Sequence, residues 1–268
     1  MYGSIYFIDT FTTVPFRGNP TAVCLVDDSF SAEKMLLVAA ELNLPVTAFV
    51  MNRTAPENSY TIRYFTTITE IPACGHATLA AARVLYERGA GEMVFLHTIS
   101  GIVIEAAYKN DIVLLKYPVY SLSPYTPDAE MLRSLNISGF ESAGICVELE
   151  TVFIELDDPS ILRTIKPDFD IMVRSNDVIK EVVITSQSDD AAYDFLLRSF
   201  CPWIGINEDP VTGSVHSVLA GFWKEKLRKE KLIAYQASER GGEVYVHEEA
   251  EHVSIGGKSV IVLRGELL

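Results

Sequence analysis

Two short segments combine a glycine with side chains that can carry protons. The first reads Cys74-Gly-His-Ala-Thr78, and the second reads Glu208-Asp-Pro-Val-Thr-Gly-Ser214, with His216 two residues further on. A glycine at a helix start lets a ligand approach the backbone closely, and the N–H groups of the first turn bind an anion there. Histidine and carboxylate side chains beside such an anion can act as general acids and bases. The segments therefore predict two helix starts that face each other across a small carboxylate and move its protons.

Each of these polar side chains also has a structural explanation, because Ser, Thr and Asp commonly cap helices. The second segment offers two neighbouring carboxylates, Glu208 and Asp209, and its sequence alone does not choose between them. It has Thr212 where the first segment has Cys74, so a racemase with two opposed thiols is disfavoured. Cys74 acting alone as a base stays open.

Both segments lie in a longer internal repeat, which must position them. In each copy an Arg-x-Phe tripeptide precedes a glutamate, and the glutamate precedes a glycine by five residues. The two copies are Arg63-Tyr-Phe65, Glu70 and Gly75, and Arg198-Ser-Phe200, Glu208 and Gly213. Each glycine is predicted to open a helix, and a strand is predicted after each helix. The repeat predicts an α/β chain, of the α+β kind, with two similar halves, residues 1–119 and 120–268, whose last strand can return to the first half.

Composition limits the partners that the protein can have. The 268 residues include 36 acidic and 22 basic side chains, which gives a formal net charge of −14, and 49% of the residues are apolar. This apolar share can bury a core, which excludes a disordered chain. Nucleic acids and anionic membranes both require clustered Lys and Arg. We therefore expect no nucleic-acid partner and no membrane partner.

The lack of a secretory-signal pattern and the spacing of the cysteines favour a cytoplasmic location. The N-terminal residues lack the basic and apolar regions of a secretory signal, and no apolar run approaches the roughly 20 residues of a membrane span. The four cysteines are far apart, so reduced thiols are expected rather than a disulfide scaffold or a Cys-ligated zinc site. His247 and His252 are five residues apart, which misses the zinc-protease spacing, and a solvated turn between strands is expected there. A metal hydrolase would require bound zinc, and no metal is expected. It is kept only as a further functional class, beside an isomerase and a binding protein.

Five motifs together resemble the phenazine-biosynthesis PhzF-like family. They are Asp9-Thr-Phe11, Gly18-Asn-Pro20, Cys74-Gly-His-Ala-Thr78, Glu208-Asp-Pro-Val-Thr-Gly-Ser214 and Gln236-x-Ser-x-Arg-Gly-Gly242. The resemblance implies the diaminopimelate-epimerase-like fold, in which two pseudo-symmetric halves each curl a β-sheet around a central helix. It also implies an isomerase that needs no cofactor, transfers protons on a small carboxylate in the cleft between the halves, and forms a homodimer.

The resemblance also assigns site residues. His76 and Asp209 match the catalytic positions, where they would orient the substrate or relay a proton. Gly75, Gly213 and Ser214 match the substrate-binding positions, where backbone donors and the hydroxyl would hold the carboxylate. The choice of Asp209 over Glu208 comes from the resemblance alone.

The sequence departs from the family pattern at the position of the main acid–base residue. The usual stretch Asn-Leu-Ser-Glu-Thr-Ala-Phe-Val carries the main acid–base glutamate, and here it reads Asn43-Leu-Pro-Val-Thr-Ala-Phe-Val50. Val46 thus occupies the glutamate position, and valine cannot move a proton. Cys74, Glu41 and Glu70 are the candidates to replace it. The alternative function is a non-catalytic small-molecule-binding or interaction protein that kept the fold and lost the chemistry.

Overall fold

The computed structural model describes residues 3–53 and 56–268 of the chain. Their contacts group them into two compact units: the first runs to Lys116 and takes in Ile255–Leu268, and the second is Tyr117–Ser254. Both units are mixed α/β with many strands and few helices, so the predicted fold class is confirmed. No helix in residues 3–53 or 56–268 is long and apolar enough to cross a membrane.

The first unit is built on a sheet with two parallel pairings. Its strands are β1 (Gly3–Thr10), β2 (Asn19–Val26), β3 (Thr47–Asn52), β4 (Ser59–Phe65), β5 (Glu70–Ile71), β6 (Met93–Thr98), β7 (Val103–Lys109) and β8 (Ile112–Pro118). These strands pair in the order β1-β2-β3-β4-β6-β7-β8, in which β2–β3 and β4–β6 are the parallel pairs. The free side of β1 pairs with the last strand of the chain. The helices are α1 (Ala32–Leu42) and α2 (Gly75–Glu87).

The second unit repeats the same order of parallel and antiparallel pairs. Its strands and helices are β9 (Ser123–Pro124), α3 (Ala129–Ser134), β10 (Ser142–Cys146), β11 (Thr151–Glu155), α4 (Pro159–Thr164), α5 (Phe169–Ser175), β12 (Glu181–Gln187), β13 (Phe195–Phe200), α6 (His216–Leu227), β14 (Lys231–Gln236) and β15 (Gly242–Glu248). The strands pair in the order β9 to β15, with β11–β12 and β13–β14 parallel. The chain ends with β16 (His252–Gly257) and β17 (Ser259–Leu267), and β17 pairs with β1.

Each sheet curls around one helix. Helix α2 contacts β1, β2, β3 and β7, which are spread across the sheet, and its residues Ala77 to Ala82 are all buried. The alanines leave room for strands on several sides of the helix, since a longer side chain would hold them apart. Helix α6 contacts β14 and β15, and Trp223 in α6 donates its indole N–H to Thr185 Oγ1 in β12 at 3.0 Å.

The outer faces of the sheets are covered by the other helices. In the first unit α1 packs Met35 and Ala39 against Phe49 of β3 and Phe65 of β4. In the second unit α3, α4 and α5 bury apolar side chains against β11, β12 and β13. Because successive side chains of a strand alternate between faces, the inner face of each sheet is left to the central helix.

Candidate active site

The repeated Arg-x-Phe and Glu residues form the same ion pair in both units. Arg63 donates from Nε to Glu70 Oε1 at 2.8 Å and from Nη2 to Oε2 at 2.7 Å. Arg198 makes the same two bonds to Glu208, at 2.7 and 2.9 Å. Such bidentate pairs fix the planes of both side chains. Each pair therefore ties the segment before a central helix to the neighbouring strand.

This pairing separates the two neighbouring carboxylates of the second unit. Both oxygens of Glu208 accept from Arg198, whereas Asp209 accepts a hydrogen bond on Oδ2 from the Thr212 hydroxyl at 2.6 Å. Glu208 is therefore a structural partner of Arg198. The choice of Asp209, which the sequence alone left open, has a physical reason in this geometry.

The loop that carries Asp209 is held by residues of the Gln236-x-Ser motif. The side chain of Gln236, which is fully buried, donates from Nε2 to the Asp209 carbonyl at 2.7 Å and accepts from Thr212 N–H at 2.8 Å. Ser238 donates to the Pro210 carbonyl at 2.6 Å, and Asp209 N–H donates to the Ser199 carbonyl at 3.1 Å. Gln236 and Ser238 belong to one of the five motifs that resemble the family. In the structure both residues hold the loop that carries Asp209.

Gly213 and Ser214 lie in a tight turn before α6. The Gly213 carbonyl accepts from His216 N–H at 3.1 Å, and the Ser214 carbonyl accepts from Ser217 N–H at 3.0 Å. Helix α6 begins at His216, so the prediction that Gly213 opens a helix is wrong. The cause is that three-residue turns use the carbonyls from Gly213 onward before the α-helical pattern is established. Ser214 is partly exposed, whereas Gly213 is buried.

His216 supports this turn from inside the unit. Its side chain is fully buried, and ring Nδ1 lies 3.1 Å from the Gly213 carbonyl oxygen. Burial lowers the pKa of His216 to about 4, so the ring is neutral near pH 7. Since the carbonyl can only accept, Nδ1 must carry the proton of the neutral ring. His216 therefore has the structural role that was the alternative for each polar residue at the helix starts.

The first unit places Cys74, Gly75 and His76 at the start of α2, as predicted for Gly75. Cys74 precedes the helix in an extended conformation, and its carbonyl accepts from Thr78 N–H at 2.9 Å and from the Thr78 hydroxyl at 2.7 Å. The N–H groups of a first helical turn have no acceptor within the helix. This end of α2 therefore has the donor arrangement that a carboxylate requires.

The imidazole of His76 is neutral and contacts the neighbouring thiol. His76 Nδ1 lies 3.4 Å from Cys74 Sγ. The surrounding protein atoms lower the pKa of His76 to about 4, although part of the residue remains exposed. A neutral imidazole can accept a proton at one nitrogen and donate at the other. His76 can therefore orient a substrate or relay a proton, but it does not provide a fixed positive charge near pH 7.

Val46 lies buried just before β3, with no proton to transfer. Its side chain is within the apolar interior, and its carbonyl accepts from the Thr21 hydroxyl at 2.6 Å. Of the two glutamates considered as replacements, Glu70 is held by Arg63 and Glu41 is exposed on α1. Neither glutamate is therefore placed as an acid–base group at the start of α2.

Metal binding finds no support in the described part of the chain. Residues 3–53 and 56–268 contain no group of three or more His, Cys, Asp and Glu side chains that could hold a metal ion. His247 lies in β15 and His252 begins β16, and both are near Glu249 in the connection between these strands. The expected turn at this segment is confirmed.

Comparisons with known proteins agree with the fold and the motifs. The model of the PhzC-PhzF family, described as phenazine biosynthesis-like protein, matches residues 8–265. A protein of Halalkalibacterium halodurans described as an uncharacterized isomerase is 36% identical over 267 residues, which cover 98% of both chains. Phenazine biosynthesis-like domain-containing protein 1 of Mus musculus is 35% identical over 284 residues, again with 98% of both chains covered.

Solved structures give the same result. The PhzF family protein of Enterococcus faecalis superimposes with a TM-score of 0.90 at 33% identity and covers 100% of both chains. A probable proline racemase from Agrobacterium radiobacter, with a TM-score of 0.61 at 11% identity over 99% of this chain and 93% of its own, shares the fold alone. These neighbours confirm the epimerase-like fold that the motifs implied. The chain thus belongs to the phenazine biosynthesis-like, PhzC-PhzF family.

Proposed function

We propose that the protein is an isomerase that transfers a proton on a small carboxylate without a cofactor. The observation that carries this proposal is the placement of Asp209. Its carboxylate accepts from Thr212, and its backbone is held by Gln236 and Ser199. A carboxylate fixed in this way keeps one orientation toward a reacting carbon, which proton transfer requires. The isomerase names of its relatives support the same reaction class.

The substrate carboxylate is proposed to bind through backbone N–H groups and the Ser214 hydroxyl. Gly75 at the start of α2 and Gly213 in the turn before α6 have no side chain to obstruct an approaching anion. These local donors offset the negative net charge of the protein, because a backbone N–H acts over a few ångströms whereas surface charges are screened by salt.

In the proposed reaction, Asp209 removes a proton from a carbon beside the substrate carboxylate. The C–H bond breaks, its electron pair delocalises toward the carboxylate, and a proton is then returned to a different carbon or a different face. His76 orients the substrate or relays a proton. General acid–base catalysis of this kind typically contributes about 10²–10⁴-fold to the rate.

The test is deuterium incorporation from D₂O into a panel of dihydroaromatic and amino-acid-like carboxylates, followed by NMR. Wild type should exchange at least one of them, and Asp209→Asn should lower that rate by about 10²–10⁴-fold. The matched control is Asp157→Asn, which removes a carboxylate from an exposed position of the same unit. Equal exchange by wild type and Asp209→Asn would show that the role assigned to Asp209 is wrong.

A second candidate, a binding protein without catalysis, is favoured by Val46. A buried valine stands where the resembling family has its main acid–base glutamate. On this reading, wild type binds carboxylates without exchanging their protons, and Val46→Glu creates exchange activity. Turnover of any carboxylate by wild type contradicts it.

A further inference from the structure

Glu181, the first residue of β12, carries a carboxyl group on the inner face of the second unit's sheet. Thr185, four residues later, contacts Trp223 of α6, and side chains at even spacing share one face of a strand. Glu181 Oε1 accepts from the Ser199 hydroxyl, and Oε2 lies 3.1 Å from Thr151 Oγ1. The residue is only partly exposed. Its carboxyl is therefore held in one position inside the unit.

The hydrogen-bond count around Thr151 favours a proton on Glu181. Thr151 Oγ1 lies 2.9 Å from the Leu149 carbonyl oxygen as well as 3.1 Å from Glu181 Oε2. A hydroxyl has one proton, so an ionised Glu181 would compete with Leu149 for it. A protonated Glu181 instead donates to Thr151, and Thr151 donates to Leu149. Burial is the largest influence on the pKa of Glu181 and raises it, whereas the hydrogen bond that Oε1 accepts from Ser199 lowers it. The net direction is upward, which agrees with the hydrogen-bond count.

The carboxyl of Glu181 lies close to the loop of Asp209. Ser199, whose hydroxyl binds Glu181, also accepts Asp209 N–H on its carbonyl at 3.1 Å. Burial raises the pKa of the Cys201 thiol most, and the negative charge of Asp209 raises it further. Ser199 therefore contacts two residues that carry carboxyl groups, Glu181 through its side chain and Asp209 through its backbone. One has a hydrogen-bond pattern that favours its protonated form, and the other accepts a hydroxyl proton on Oδ2.

The strand registers relate Glu181 to Val46. In the first unit Thr47 lies opposite Phe65 of β4, and in the second unit Val182 lies opposite Phe200 of β13. The preceding residues, Val46 and Glu181, are thus equivalent positions of the two repeats. The parallel pairings agree, because Thr47 pairs with Ala22 and Val182 pairs with Val152.

We propose that Glu181 is the second acid–base residue of the site and supplies the carboxyl group that position 46 lacks. This inference rests on the proposed isomerase function. Asp209 takes a proton from a substrate carbon, and the O–H bond of Glu181 breaks as its proton forms a new C–H bond elsewhere on the substrate. The enzyme is left with a protonated Asp209 and an ionised Glu181. A proton passing from Asp209 to Glu181 through water, or exchange of each with solvent, restores the starting state.

The experiment compares Glu181→Gln, Glu181→Asp and wild type in the D₂O exchange assay, each below its own melting temperature. Gln retains the shape and one donor but cannot transfer a proton, so exchange should fall by about 10²–10⁴-fold. Glu181→Asp keeps an ionisable carboxyl and should exchange at least ten times faster than Glu181→Gln. The matched control is Glu155→Gln, a buried carboxyl at the opposite end of β11 from Thr151, and it should exchange like wild type.

The outcomes separate the two proposals. Glu181 is not an acid–base residue if Glu181→Gln exchanges as fast as wild type. The same conclusion follows if Glu181→Asp and Glu181→Gln exchange equally slowly. In both cases the isomerase proposal stands. If wild type exchanges none of the panel, the proposed function fails and this inference fails with it. The second readout is the infrared band of a protonated carboxyl at neutral pH. We expect this band in wild type and in Glu155→Gln but not in Glu181→Gln. Its absence in wild type contradicts the proposal.

Discussion

Gln236 holds the backbone on both sides of the Pro210-Val211 dipeptide. Its amide donates to the Asp209 carbonyl at 2.7 Å and accepts from Thr212 N–H at 2.8 Å. Replacing Gln236 would remove the partner that its side chain supplies to each of these two backbone groups. The same two residues form the Asp209–Thr212 side-chain bond, so the amide of Gln236 determines where the candidate proton-transfer group lies.

Replacing Gln236 by Ala should therefore impair both activity and stability. A buried polar group that loses its partner costs about 1–3 kcal/mol, and two groups are affected. We expect a loss of about 2–4 kcal/mol in the free energy of unfolding, measured in urea, and at least a tenfold fall in deuterium exchange. Glu239→Ala, in the connection between β14 and β15, is the control for general damage near Gln236. An unchanged exchange rate in Gln236→Ala would mean that Asp209 does not need this support.

The two repeated ion pairs should differ in strength, because their burial differs. The side chain of Arg198 is 10% exposed and that of Arg63 is 21% exposed. Arg198 also donates to the Ile165 carbonyl at 2.7 Å. Breaking a buried pair by removing one partner typically costs about 3–5 kcal/mol, so Arg198→Met should approach that range and Arg63→Met should cost less. Urea unfolding would check this order, with the exposed Arg133→Met expected within about 0.5 kcal/mol of wild type. A larger loss in Arg63→Met than in Arg198→Met contradicts the argument.

The sequence predicted the elements that repeat and missed those that depend on distant pairing. The Arg-x-Phe and Glu spacing predicted that the chain repeats, since each copy is a short local pattern, and the two copies form the same ion pair in the structure. The start of α6 was misplaced because a glycine signal does not distinguish a tight turn from a first helical turn. Glu181 carried no local signal at all. The role proposed for it depends on Thr151 and Ser199, which contact Glu181 because of the strand register, and register follows from the folded sheet.

Acid should destabilise the protein through His216. Its pKa is about 4 in the folded chain because of burial and about 6.5 in the unfolded chain, so between these values the unfolded state binds more protons. Stability therefore rises with pH across this window and is lost as pH falls, by about 1.4 kcal/mol per pH unit at most. His216→Asn keeps a donor for the Gly213 carbonyl and should flatten the curve of unfolding free energy between pH 4 and 6.5. His247→Asn, at a more exposed position, is the control. A slope as steep in His216→Asn as in wild type would refute this prediction.

The carboxyl of Glu181 should have the opposite pH dependence. Burial raises its pKa in the folded chain, so above the ordinary glutamate value the folded state binds more protons than the unfolded state. Its contribution to stability is complete at low pH and declines as pH rises through the raised value. Glu181→Gln removes this titration, so the variant should gain stability relative to wild type as pH increases from about 4.5 toward neutrality. Urea unfolding at several pH values measures the difference, and Glu155→Gln shows what loss of another buried carboxyl does. A residue kept for catalysis can cost stability. Glu181→Gln should therefore be more stable than wild type at neutral pH and should lose proton exchange. A Glu181→Gln variant that is less stable and fully active would show that Glu181 has a structural role alone.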